Sequence, residues 1–146
     1  MAEALARVGR RGLLVRGWNA TVANPAPERL CVLDSAPHHW LFPQMAALVH
    51  HGGAGTTAAG LRAGRPALVV PHMADQPYWG RRIRELGAGP PPLPRAQLTA
   101  DALAGRLAAL LGNPAFATAA AILGEQIRAE RGVENAVAWL EQLIRR

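Results

Sequence analysis

The sequence predicts an α/β fold: a parallel sheet with helices on both faces, followed by C-terminal helices. Two observations carry this. Short apolar runs of strand length alternate with helix-length segments, βαβα, through short connections. Two of the helical segments also close on a glycine, Gly64 and Gly87, as helices commonly do. The 146 residues suffice for one domain, residues 1–146, with a core of its own.

The elements follow in order. Ala2 to Val8 reads as a short helix, stopped by Gly9-Arg10-Arg11-Gly12. Leu13 to Arg16 is a strand, Gly17 to Glu28 a polar loop with two prolines, and Leu30 to Leu33 the next strand. Cys31, inside that strand, reads as a small buried hydrophobe. Pro37 suits the first turn of a helix that carries Trp40 and Leu41 and ends near Pro43 or Met45. Ala46 to His50 is a strand that delivers His51. Ala54 to Ala63 is a helix, Pro66 to Val70 a strand, and Gln76 to Leu86 a helix. Gly89 to Pro94 is a stiff extended crossover. Thr99 is an N-cap for a helix to Leu111, with Leu103, Leu107, Leu110 and Leu111 on one face. Gly112-Asn113-Pro114 breaks it. Two further helices follow, about Ala115 to Glu130 and Val133 to Ile144, with Trp139, Leu140 and Leu143 as core contacts.

Composition excludes several classes. No apolar run approaches the ~18 residues of a membrane span, and the N-terminal stretch lacks the apolar region of a signal peptide. A single cysteine forbids an internal disulfide and fits a reducing cytoplasm. The net charge of +6 and pI near 11.4 raise nucleic acid as a partner. All sixteen basic residues are arginine, however, and none runs longer than two. With the abundant Ala, Gly and Pro, that reads as GC-rich coding bias, so no nucleic-acid partner is expected. A basic face can still attract nucleotide phosphates or anionic headgroups.

The most informative stretch is His50 to Gly80, HHGGAGTTAAGLRAGRPALVVPHMADQPYWG. The turn Gly52-Gly53-Ala54-Gly55-Thr56-Thr57 lets backbone N–H groups approach an anion closely. It opens a helix, whose N-terminus favours negative charge. His51 stands just before the turn and can donate to the same anion. Asp75 and Gln76 follow a strand, where open α/β sheets bind ligands. Each part has a plainer reading: tight strand–helix packing for the glycines, ordinary half-buried histidines for His50 and His51, and a helix N-cap for Asp75. The P-loop is ruled out, because its lysine is missing.

Together the parts closely resemble the donor-binding signature of family 1 glycosyltransferases of the GT-B fold, nearest to the sterol glucosyltransferases and the bacterial enzymes acting on lipids and natural products. Pro37-His38-His39-Trp40-Leu41-Phe42-Pro43 upstream is similar to that family's PHxWLFP segment. Gly80-Arg81-Arg82 and Leu86-Gly87-Ala88-Gly89-Pro90 fit downstream. The resemblance covers about Arg11 to Gly132. It implies the Rossmann-like C-terminal half of a GT-B enzyme without its opening strand. The catalytic base and acceptor pocket would then lie in an N-terminal half, supplied in cis or in trans.

The resemblance also implies roles. His51 would hydrogen-bond the donor diphosphate, with Gly53, Gly55, Thr56 and Thr57 holding the phosphates. Asp75 and Gln76 would contact hydroxyls of the transferred sugar, and His38, with the backbone of Ser35 to Pro37, would lie at the nucleoside. The plant branch has a ribose-gripping Glu where Ala59 stands here. A UDP-sugar is the expected donor, with no metal and no other cofactor. The chain would then be the donor half of an inverting hexosyltransferase, cytoplasmic or peripheral at a membrane, acting on a lipid, sterol or small-molecule hydroxyl. The alternative is a non-catalytic nucleotide-sugar-binding module, or one subunit of a split enzyme, inactive alone. His72 reads as a cleft or core residue and Trp79 as core.

Overall fold

The computed structural model describes residues 1–16 and 28–145. In chain order they form α1 (Ala2–Arg7), β1 (Gly12–Val15), β2 (Leu30–Leu33), α2 (His38–Leu41), a 3-10 turn over Phe42–Gln44, β3 (Leu48–His50), α3 (Ala54–Arg62), β4 (Ala67–Val69), α4 (Gln76–Glu85), a 3-10 turn over Arg95–Gln97, α5 (Ala100–Gly112), α6 (Pro114–Ala129) and α7 (Gly132–Ile144). Every helix and strand read from the sequence is present, displaced by two residues at most. The polar loop expected over Gly17 to Glu28 lies outside the described residues, except for Glu28.

Local chemistry explains the helix ends. The Thr99 side chain accepts from Ala102 N–H at 3.1 Å and starts α5. Asn113 ends α5 and starts α6: its Oδ1 accepts from Ala115 N–H at 3.1 Å, and Pro114 occupies the first helical position. Gly64 and Gly87 follow α3 and α4 with φ of +68° each. Pro37 sits one residue earlier than expected, at the N-cap of α2.

All the strand pairs are parallel: β1 with β2, and β3 with β4. No ladder joins the two pairs among the described residues. They nevertheless form one layer, because alternate residues of both pairs enter the same two cores. On one face Leu14, Leu30, Val32, Val49, Leu68 and Val70 meet α1 and α5. On the other, Val15, Leu48, Ala67 and Val69 meet α2, α3, α4 and α6. This period-2 alternation is what a sheet covered on both faces requires. A further parallel strand between the pairs would make the layer continuous. The outer side of β4 is occupied: Ala67 N–H donates to Ala88 O and Leu93 N–H to Val69 O, both at 2.9 Å. The proline-rich crossover therefore runs along this edge, where proline's missing N–H is tolerated.

Two expectations about burial are corrected. Trp139, Leu140 and Leu143 are exposed rather than core, and no residue of α7 is buried. The helix has an apolar stripe at helical spacing, but no other described element covers it. Cys31 is also exposed. Its neighbour Leu30 takes the buried face of β2, and alternation turns Cys31 the other way.

This burial pattern predicts a contrast. Leu68, 0% exposed at the centre of β4, should cost about 2–5 kcal/mol as Leu68→Ala through lost burial and a cavity. Leu140→Ala, at an exposed site, should stay within about 0.5 kcal/mol of wild type. Urea unfolding of both variants checks the difference.

Candidate functional site

The site is built on the turn from β3 to α3. His51, Gly52 and Gly53 make the connection, and Gly52 adopts φ +91°. A Cβ there would stand 2.6 Å from Val69 Cγ1 and 3.0 Å from Gln76 O, so both the conformation and the space demand glycine. Gly53 is the N-cap of α3 and brings no side chain to cap it. The first N–H bonded within the helix is that of Thr57, to Gly53 O at 2.9 Å. The N–H groups of Ala54, Gly55 and Thr56 therefore lack intrahelical acceptors. The first turn of α3 carries no acidic residue, so its positive end is uncompensated. His51 is exposed, and its Nε2 packs against Gly53, where a Cβ would collide with it. An imidazole and three free N–H groups thus meet at one helix end, the chemistry of a phosphate site.

Thr57 needs a correction. The resemblance implies a phosphate-holding role for it, but its side chain is buried, at 1% exposure, and its N–H is already used inside the helix. Its position one turn into α3 directs it to the core. Gly55 is open to solvent and Thr56 is half-buried. Ala59 packs among the apolar residues below α3.

Asp75 and Gln76 stand beyond the carboxyl end of β4. Gln76 Oε1 accepts from His72 N–H at 2.7 Å and Met73 N–H at 3.1 Å, which ties down the loop and leaves the amide NH2 free to donate. Ala74 in this loop has φ +53°, the one non-glycine residue at positive φ among those described. Asp75 occupies the N-cap position of α4, yet its carboxylate does not cap the helix. Oδ2 instead accepts from Trp79 Nε1 at 2.8 Å. The plain helix-cap reading of Asp75 therefore fails. Trp79, read as core, is half-buried and orients Asp75. The signal for it was the i, i+4 spacing at a helix start.

His38 is exposed and stacks on Phe42, ring centroids 4.3 Å apart at 16°. It comes close enough to His50 to act on its charge. Burial first, then the neighbouring His51 and His38, push the His50 pKa down from 6.5 to about 4. His50 Nδ1 accepts from Gly52 N–H at 3.0 Å. This role was missed in the sequence, where only the spacing of a His two residues before a Gly could have suggested it.

A pocket of about 430 Å3 opens beside the turn, lined by His50, His51, His72, Glu3 and Thr99 among others. Of the residues singled out in the sequence for the donor, only His51 lines it. Asp75, Gln76, His38 and the first turn of α3 are not among its lining residues. Among the described residues, no three His, Cys, Asp or Glu side chains come together as a metal-ligand set, and no single helix is long and apolar enough to cross a membrane.

A layered parallel fold with an open helix N-terminus at the carboxyl ends of its strands is the arrangement seen in nucleotide-binding α/β domains, and comparison with known proteins narrows the class. The family described as erythromycin biosynthesis protein CIII-like, C-terminal domain, matches residues 18–143. The chain belongs to this family of glycosyltransferase C-terminal domains, with the GT-B architecture. It is 43% identical over 137 residues to a sterol 3-beta-glucosyltransferase of Arabidopsis thaliana, covering 92% of this chain and 22% of the relative. It is also 43% identical over 141 residues to the O-mycaminosyltylonolide 6-deoxyallosyltransferase of Streptomyces fradiae, covering 97% and 33%. The glycosyltransferase VinC, solved in complex with dTDP, superposes with a TM-score of 0.79 at 29% identity, covering 97% and 36%. The chain thus spans between about a fifth and two-fifths of the length of these relatives.

The His50 environment predicts a pH response. Its folded pKa is depressed, so the unfolded chain takes up the proton first. The contribution is fully present above pH 6.5 and is lost as pH falls from 6.5 towards 4, with a slope of at most about 1.4 kcal/mol per pH unit. Urea unfolding of wild type and His50→Asn across this window should show a steeper loss in wild type.

Proposed function

We propose that this chain is the donor-binding half of an inverting glycosyltransferase that takes a UDP-sugar and transfers a hexose, glucose in the leading reading, to a lipid, sterol or small-molecule hydroxyl. The observation that carries it is the juxtaposition of two groups at Gly52: the open N-terminus of α3 with His51, and the Asp75–Gln76 pair at the start of α4. The first group suits a diphosphate. The second offers a free carboxylate oxygen and a free amide NH2, an acceptor and a donor for sugar hydroxyls. As the anomeric bond breaks, the departing diphosphate gains negative charge. A preorganised helix end and a donor imidazole stabilise that charge, and the reading needs no metal ion.

The sterol-glucosyltransferase relative favours UDP-glucose and a lipid-type acceptor, which would place the protein at a membrane surface. The dTDP complex of VinC favours a thymidine nucleotide instead. The acceptor pocket and general base would belong to an N-terminal half, fused or in trans. A non-catalytic binding module is the second reading.

Calorimetry with chelator present tests the donor site. UDP or dTDP should bind, and His51→Ala should weaken binding by about 1.5–3 kcal/mol, the range for a hydrogen bond to a charged group. Asp75→Ala should weaken UDP-glucose while leaving UDP nearly unchanged. Absence of binding by folded protein, or a strict need for a divalent ion, would remove the reading. Equal losses for both ligands in Asp75→Ala would make that residue structural.

Activity follows from geometry. A general base must reach the acceptor hydroxyl, and none is assigned in this chain. The chain alone should transfer no sugar to a sterol or small phenol. Addition of a matching N-terminal half should restore transfer with inversion, read by NMR of the anomeric product. Turnover by the chain alone would assign the base to a residue such as His38 or His72.

A further inference from the structure

We propose that His50 is a positioning residue of the donor site: by holding the Gly52 turn it makes His51 and the free N–H groups of α3 converge on one diphosphate. The proposal rests on the donor reading above. It starts from a half-buried side chain, with a buried ring nitrogen, that has no role in that reading. His50 Nδ1 accepts from Gly52 N–H at 3.0 Å, so the proton of the neutral ring sits on Nε2. That Nε2 is buried without a partner. An imidazole in this place is costly, because an unpaired buried donor loses its hydration. An apolar side chain would suit the end of β3, beside Val49 and Val70, better. What the ring supplies and an aliphatic group cannot is the acceptor for Gly52.

That acceptor matters because Gly52 is the hinge of the turn. Its φ of +91° sets the direction in which the chain leaves β3, and hence where His51 projects and how α3 begins. The bond also takes the Gly52 N–H out of the group available to an anion. The phosphate site is thereby restricted to the N–H groups of Ala54, Gly55 and Thr56. The charged or titratable groups facing His50 are His51 from the turn and His38 from α2, with Glu3 of α1 and His72 of the β4–α4 loop around the same pocket. Burial and the two nearer imidazoles keep the ring neutral, which leaves Nδ1 free to accept.

Two substitutions separate this role from simple packing. In His50→Asn the side-chain oxygen can still accept from the N–H two residues on, the geometry of an Asx turn. In His50→Leu the volume stays and the acceptor goes. UDP affinity is measured by calorimetry near neutral pH, and exchange of the Gly52 amide by NMR. Losing one hydrogen bond at the hinge should weaken UDP by about tenfold in His50→Leu and speed Gly52 exchange by a similar factor. His50→Asn should stay within about threefold of wild type in both. A packing role would lower the melting temperature of His50→Leu but leave the affinity of its folded fraction alone. Wild-type affinity in His50→Leu overturns the proposal, and so do equal losses in both variants. If His50→Leu does not fold, His50→Gln, whose longer arm misplaces the acceptor, is read in its place. If wild type binds no nucleotide, the donor reading fails and this proposal falls with it. If wild type binds and neither variant differs, only this proposal falls.

Discussion

The close approach at Gly52 organises the rest of the site. Here the end of β3 touches the side chain of Val69 in β4 and the backbone of Gln76 in α4. A single Cβ would push these three elements apart. Because none is there, the N-terminus of α3 and the N-terminus of α4 begin side by side at the carboxyl ends of neighbouring parallel strands. That adjacency brings the open N-terminus of α3 and the Asp75–Gln76 pair to one place. A left-handed turn costs any other residue strain, so the geometry is set by sequence at one position and by packing at two others.

The electrostatics follow from that placement. The first turn of α3 has no acidic residue and its N-cap is Gly53, so that helix end keeps its positive potential, whereas α4 starts at Asp75, whose carboxylate offsets its own. Three imidazoles gather nearby, at His38, His50 and His51. The buried one stays neutral because burial and its two neighbours disfavour charge there. In the proposed donor site the exposed His51 is the imidazole that donates to the anion, while His50 accepts from the backbone at Gly52. Charge and structure are divided between two adjacent residues of the same type.

Much of this was legible. The glycine stops of α3 and α4, the Thr99 and Asn113 caps and the βαβα order are local signals, and local signals survive into the fold. The placement of His51, Gly53, Gly55 and Thr56 at the turn from β3 into α3 was legible for the same reason, since a turn between a strand and a helix is a contiguous motif. Other features were not. Asp75 looked like a helix cap because its position is the cap position. Only the partner chosen by its carboxylate, Trp79, shows otherwise. Thr57 looked equivalent to Thr56, but one further residue along α3 turns the side chain by about 100° and into the core. Trp139, Leu140 and Leu143 have the spacing of a packed stripe, and spacing cannot say whether anything covers it.

The sequence by itself determined the class of fold, the order of its elements and the residues of the turn that opens α3, because these depend on periodicity, capping and the special conformations of glycine. Tertiary structure decided which of those residues meet. It joined Gly52 to Val69 and Gln76, set Trp79 against Asp75, buried Thr57 and the His50 Nε2, and left two strand pairs in one layer with no ladder between them among the described residues. These outcomes rest on contacts between segments distant in the chain. Such contacts are fixed by the packing of two cores on opposite faces of the strands, and no local pattern encodes them.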